Sequence, residues 1–401
     1  MPGEVVRRFR EWFWRPPRAH GDVLRDRSVS FLELLYDLVY VAVIAQAAQR
    51  LSTDISGVAI GQFAVVFTLI WIAWVNGTLY LELHGREDGR TRLSVFFQMG
   101  IVALLAVYAG IAADDLGGAR FALVYVGFLL TLAWLWNSVR RQDRPEVARV
   151  TLQYELVLVV SAAVMLGSAI LEPGTRLLVW AAFGGLWIAT MLGLGFRTRS
   201  FSIGVTPTHS MVERFGLFIL IVLGEVVVGV VDGLSHAEQD AITVVTGSLA
   251  MIIGFGFWWI YFDLVGRREP RPEGRRIVTW VLSHLPITLA ISAAGAGMVG
   301  LIEHAHDELA PPATAWLLSG SVATVLIAQV VHGWTLEAAR EQAAVYRPLT
   351  VALVVAAAAA LAVGWLRPAP WLLALALVGI LTLLWFYAVV LFIRARAWPP
   401  P

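Results

Sequence analysis

Twelve apolar stretches of about twenty residues, placed between Phe31 and Ile393, constrain this chain more than any other feature. A bilayer's hydrocarbon core, about 30 Å thick, asks for helices of that length in succession. In lipid the backbone must satisfy its own polar groups, so each stretch is expected to be an α-helix. Spans are read at roughly 31–49, 58–83, 93–113, 119–139, 150–171 and 175–196. A second set follows at roughly 211–232, 241–265, 277–302, 314–334, 347–366 and 371–393. Turn signals punctuate them at Asp114-Asp115-Leu116-Gly117-Gly118, Glu172-Pro173-Gly174, Pro311-Pro312 and Arg367-Pro368. The expected fold is an all-α membrane protein of about twelve transmembrane helices.

Composition agrees: 58% of the residues are hydrophobic and only 15% charged, where a soluble domain carries about a quarter charged. The chain has no cysteine, which excludes disulfides, thiol nucleophiles and cysteine-ligated metals. All thirty basic residues are arginine, and their placement is the second independent signal. The N-terminal stretch, alternate loops and the C-terminal tail hold 25 of them, the opposite loops hold 4, and Arg214 lies inside a span. Positive charge marks the cytoplasmic side, so both termini are expected in the cytoplasm of a bacterial inner membrane. The first thirty residues are Arg-rich without a continuous apolar core, so no cleavable signal peptide is expected.

Before the first span, Val5, Val6, Phe9, Trp12 and Phe13 fall at helical spacing between Arg7, Arg8, Arg10 and Arg15. This predicts an amphipathic helix lying on anionic lipid and stopped by Pro16-Pro17, with a disordered basic tail as the alternative. The spans also echo one another. Span 2 contains Trp71-Ile-Ala-Trp74 and ends Tyr80-Leu-Glu82; span 8 contains Trp258-Trp259 and ends Tyr261-Phe-Asp263. An arginine-rich loop follows each, then a span with Gln98 or His284 shortly inside it. The pattern suggests two parallel six-helix repeats: a cytoplasmic N-terminus at 1–30, a first repeat at 31–200 and a second at 201–396.

Polar residues that do not belong in lipid are the functional candidates. Glu33 and Asp37 of span 1 are four apart and share a helix face, about 6 Å apart along the axis. They either face protein or water, or cap the helix entrance near the headgroups. In span 7, His209 and Glu213 share a face by the same spacing, and Arg214 needs a counter-ion because it cannot shed its charge. Glu213 is adjacent, and Glu33 or Asp37 is the expected partner; a purely structural ion pair is the alternative. Glu225 lies about 18 Å of helix beyond Glu213 with no arginine near it in sequence, which marks it for proton exchange or for a neutral structural hydrogen bond. Asn76, Glu82, Gln98, Asn137, Gln153, Glu155, Asp263, His284, Gln329 and His332 all sit toward the cytoplasmic ends of their spans. This is interface polarity or a funnel opening to the cytoplasm, with Pro286 expected to kink span 9 beside His284. The candidate path is therefore Glu33, Asp37, His209, Glu213, Arg214, Glu225 and His284, with Glu82 and Asp263 secondary.

The outer loop Glu303-His304-Ala305-His306-Asp307-Glu308 has metal-ligand residue types crammed into too few positions for a tetrahedral site, so no metal is expected. No HExxH, GxSxG or GxxxxGK[ST] pattern occurs, and the loops are too short for a nucleotide- or nucleic-acid-binding domain. No cofactor and no nucleic acid partner are expected.

Glu33-Leu-Leu-Tyr36-Asp37-Leu-Val-Tyr40-Val resembles the opening signature of the bacterial low temperature requirement protein A family, Glu-Leu-Phe-Phe-Asp-Leu-Val-Phe-Val. His209-Ser-Met-Val-Glu213-Arg214-Phe-Gly216-Leu217-Phe218, with Leu223-Gly224-Glu225, resembles its second block. The likeness covers nearly the whole membrane region; Leu35 and Tyr36 replace successive aromatics. It implies a multi-pass inner-membrane protein and carries over no substrate and no catalytic residue. A looser likeness is to a potassium-channel family with two parallel six-helix repeats, but Glu213-Arg214 stands where that family would repeat its early Asp. The favoured function is a transporter or ion-conducting protein with an intramembrane acid/arginine site, acting on a small solute or ion, as a monomer or homo-oligomer. A membrane-embedded enzyme acting on lipid stays open, though no nucleophile is evident. So does a non-transporting sensor or assembly protein.

Overall fold

The computed structural model describes residues 2–13, 15–20, 29–86, 88–197, 208–238 and 240–395. The expected repeat boundary at 200/201 and the last expected residue, Arg396, lie outside these. Twelve of the helices are long and apolar enough to cross a membrane. They are α2 (Phe31–Thr53), α3 (Gly57–His84), α4 (Gly89–Ala109), α5 (Asp115–Arg140), α6 (Pro145–Ser168) and α7 (Pro173–Arg197), then α8 (His209–His236), α9 (Ala241–Leu264), α10 (Gly274–Glu303), α11 (Pro312–Thr335), α13 (Ala343–Leu366) and α14 (Pro370–Arg394). Two shorter helices complete the set, α1 (Pro2–Phe13) at the N-terminus and the five-residue α12 (Glu337–Glu341), which the hydropathy pattern did not announce.

The helix ends have local causes. Asp88 and Asp240 accept from the amides of Thr91 and Thr243 and so start α4 and α9. Proline stands in the first turn of α6, α11 and α14, where its missing N–H costs nothing. At the end of α13, Arg367 takes a left-handed conformation (φ 48°), a common helix stop, and its Nε donates to the carbonyl of Ala310, 3.0 Å away. α10 runs unbroken through Pro286, whose ring leaves the carbonyl of Leu282 without its helical donor. At 30 residues α10 is about 45 Å long, more than the hydrocarbon core requires.

The chain forms two compact units. The first comprises Met1–Gln46, Val65–Thr190 and Arg197–Ser210; the second comprises Ala47–Ala64, Met191–Phe196 and Met211–Pro401. In the first, α4, α5 and α6 pack in sequence order, and α1 leans on α4, where Phe13 abuts Gly89. The α1 residues Val5, Val6 and Phe9 stay exposed. In the second unit α10 is the central element, with 83% of its apolar window buried. It packs on α9 and α11; α11 packs on α13, and α9 on α14. Small residues allow this approach: a side chain at Gly297 would press on Leu318, and one at Gly295 on Val226. The outer surfaces carry exposed Ile170, Leu383 and Val351, which suits lipid chains rather than water.

Candidate functional site

The acids of α2 have separate local tasks. Ser30 and Glu33 form a capping box: the Glu33 amide donates to the Ser30 hydroxyl (3.3 Å), and the Glu33 carboxylate accepts from the Ser30 amide (3.0 Å). One turn deeper, Asp37 is fully buried and accepts the indole N–H of Trp74 on α3 at 2.9 Å. Beside it, Tyr36 donates to the amide oxygen of Gln98 (3.2 Å) and lies 3.1 Å from the hydroxyl of Tyr40. Gly77 lets α3 close on this cluster, since a Cβ there would collide with the Tyr36 hydroxyl. Further polar groups share the unit. Tyr154 donates to the Asn76 side chain, and Asn137 and Arg140 bind Glu155 at 2.8 and 3.0 Å. Glu82, buried at the end of α3, accepts from the hydroxyls of Thr208 (2.6 Å) and Ser210 (2.7 Å).

On α8 the candidate residues face different surroundings. His209 and Glu213 are exposed, Arg214 is buried and Glu225 is half-buried. The shared face of His209 and Glu213 is thus the open one, while Arg214, one residue on, turns about 100° into the packing.

His284 proves to be one member of a larger buried group in the second unit. Its Nδ1 lies 2.8 Å from the Trp280 carbonyl and its Nε2 2.9 Å from the Tyr261 hydroxyl. A carbonyl only accepts, so Nδ1 carries the proton and Tyr261 donates to Nε2. The Ser283 hydroxyl donates to the same carbonyl at 2.7 Å, so at 2.8 Å it accepts from Nδ1–H of His332 on α11. Both imidazoles, when neutral, therefore hold an Nε2 lone pair. That of His284 is occupied by Tyr261; that of His332 meets no partner among the described residues. The rings sit edge to face with centroids 4.7 Å apart, and Trp280 and Phe215 close over His284. Both amide atoms of Gln329, one turn away on α11, and the indole N–H of Trp280 are likewise buried without a partner among the described residues. Asp263 lies near the C-terminal end of α9, accepting from the Trp385 indole at 2.9 Å. Just outside that span, burial pushes the Arg268 guanidinium down to about 10, which leaves it charged at neutral pH over the rings of Tyr346 and Phe392.

The sequence pattern put His284 in the candidate path, but marked His332 only as one of many polar residues near span ends and Tyr261 only as part of a repeated span ending, and left Ser283 unmarked. The available signal was the spacing of Gln329 and His332, three apart and hence on one helix face. In the segment between α10 and α11, His304 binds the Gly300 carbonyl (2.8 Å) and His306 approaches Asp240 (3.1 Å), so the two imidazoles serve different partners.

Two comparisons bear on kinship. The family model of the bacterial low temperature requirement A protein matches residues 28–389, nearly the whole chain. A protein of Rhizobium meliloti (strain 1021), called uncharacterized protein RA0937, is 24% identical over 301 residues, covering 70% of this chain and 71% of that one.

Proposed function

The chain belongs to the bacterial low temperature requirement A protein family, and on that premise we propose that it is a transporter or ion-conducting protein that moves protons or a proton-coupled small solute. The observation that carries this reading is the buried His284–His332 pair, in which Nε2 of His332 meets no hydrogen-bond partner among the described residues. Buried polar groups without partners cost about 1–3 kcal/mol each. Inside a membrane, such groups mark substrate and proton pathways more often than scaffolding. Asp37 and Glu225 are acids of the same class, buried and half-buried in their own units, and Arg214 is a buried cation in the second.

The cell location belongs to the proposal: the bacterial plasma membrane, with both termini cytoplasmic, as the arginine distribution supports. So does the division into two six-helix repeats. It is supported by Glu82 and Asp263, which end matching spans and are both bound by neutral donors.

The test is flux in proteoliposomes across a panel of ions and small solutes, with and without a pH gradient. Flux that depends on the gradient is expected. His332→Gln and Glu225→Gln, which keep hydrogen-bonding capacity but cannot cycle a proton, should abolish it. Silence of the folded wild type across the panel would sink the reading.

A further inference from the structure

A groove of about 490 Å³ runs along the outer side of the α4–α5 pair. Its walls are Leu93, Phe97, Leu130 and Trp134, all about half exposed or more. The two hydroxyls that line it are already engaged: Ser94 donates to the Arg90 carbonyl (2.9 Å) and Thr131 to the Gly127 carbonyl (2.8 Å). The groove therefore presents an almost wholly apolar surface, about two helical turns long.

Its cytoplasmic mouth is cationic. The Arg90 guanidinium stands 5.8 Å from the centre of the Trp134 ring and makes no ion pair among the described residues. The nearest acid in sequence, Asp88, accepts from the Thr91 amide through Oδ1 at 2.8 Å and forms no ion pair with Arg90 among the described residues. Arg92, two residues on, likewise has an aromatic partner, Trp12 of α1, at 5.9 Å. Two arginines thus stand beside tryptophans at the level where headgroups meet hydrocarbon.

We propose that this groove is a binding site for an anionic phospholipid, its acyl chain lying between α4 and α5 and its phosphate on Arg90. The apolar walls ask for a hydrocarbon chain, and the unpaired guanidinium asks for an oxyanion at one end of it. A zwitterionic headgroup brings its own ammonium, which would compete with Arg90 for the phosphate, whereas phosphatidylglycerol brings none. Each arginine near a membrane surface contributes about 1 kcal/mol toward anionic lipid. This site is independent of the transport reading.

The experiment is native mass spectrometry of the full-length protein, stripped of co-purified lipid and titrated with dioleoyl phosphatidylglycerol, dioleoyl phosphatidylcholine or glycerol phosphate. The first lipid should be retained over the second, and glycerol phosphate, which lacks chains, should not bind. Arg90→Gln should lower phosphatidylglycerol affinity about fivefold and erase the headgroup preference. Leu130→Trp, which fills the groove, should lower retention of both lipids, with an unchanged melting temperature showing that the fold survives. Equal retention of the two lipids by the wild type would overturn the proposal. So would a headgroup preference that survives Arg90→Gln, binding of glycerol phosphate as strong as that of the lipid, or a dimer mass that Leu130→Trp reduces while lipid retention stays unchanged.

Discussion

Asp37 shows what a single buried acid does in this fold and how little of that a linear reading reveals. Its carboxylate accepts from Trp74, 37 positions away, and both side chains are wholly buried. Asp37→Leu would strip the indole N–H of that acceptor. We expect a loss of about 1–3 kcal/mol in unfolding free energy, because a buried donor left without its partner bears its full desolvation cost. Asp37→Asn keeps an amide oxygen for Trp74 and should lose distinctly less. Chemical unfolding in micelles, followed by tryptophan fluorescence, distinguishes the two, and equal losses would mean that the contact is energetically idle. Glu33 is the contrasting case. Its partner is Ser30, three residues back, so the Ser-x-x-Glu capping pattern was there to be read. Sequence spacing reveals partners within one helix turn; it is silent on partners that tertiary packing brings from another helix, as with His284 and His332.

At the level of elements, the twelve long helices were legible because the bilayer imposes their length, whereas α12 was not, since five residues leave no hydropathic period. How the elements are tied together was not legible either. Arg176, whose place in the sequence shows only an arginine on the sparse side of the charge partition, is a clamp. Buried at 1% exposure, it donates to the carbonyls of Ser168 (3.2 Å), Leu171 (2.5 Å), Asp114 (3.1 Å) and Asp115 (2.7 Å). It thereby ties the α6–α7 turn to the α4–α5 turn. Arg176→Met should lower stability by about 1–3 kcal/mol through the stranded carbonyls. Arg176→Lys should fall between, because an ammonium cannot fork to several acceptors. Thermal unfolding orders the three proteins, and a lysine variant as stable as wild type would refute the clamp. The start of α9 responds to pH instead. The Thr243 amide, helped by His306, holds the Asp240 carboxyl below its ordinary value of 3.8. A group whose folded value is depressed stabilises above its unfolded value and loses that contribution as pH falls through the lowered one. The gap in melting temperature between wild type and Asp240→Ala should therefore be open at pH 6 and narrow progressively as pH falls below 3.8. A gap that stays constant would remove Asp240 from the account.

At the scale of the whole molecule, the question left by two compact units and twelve spans is which loops face which side, and the chain is unusually suited to answer it. It contains no cysteine, so a single introduced thiol reports its own position without a background. The 25-to-4 partition of arginines makes definite assignments. Gly174 and Leu309, both exposed, belong to the sparse side; Gln142 and Glu341, also exposed, belong to the rich side. Gly174→Cys and Leu309→Cys should react with a membrane-impermeant maleimide on intact bacterial cells, after any outer membrane has been permeabilised. Gln142→Cys and Glu341→Cys should react only once the inner membrane is opened. Each pair takes one residue from each unit, so agreement within both pairs would establish the same orientation for the two units, as parallel six-helix repeats require. If Leu309 and Glu341 of the second unit reported the opposite sides to those expected while Gly174 and Gln142 of the first kept theirs, the repeats would be inverted relative to each other. The matching ends of α3 and α9, Tyr80-Leu-Glu82 and Tyr261-Phe-Asp263, would then be coincidence rather than kinship. An even number of spans per half admits only the parallel arrangement, so that outcome would also overturn the count of six in one half.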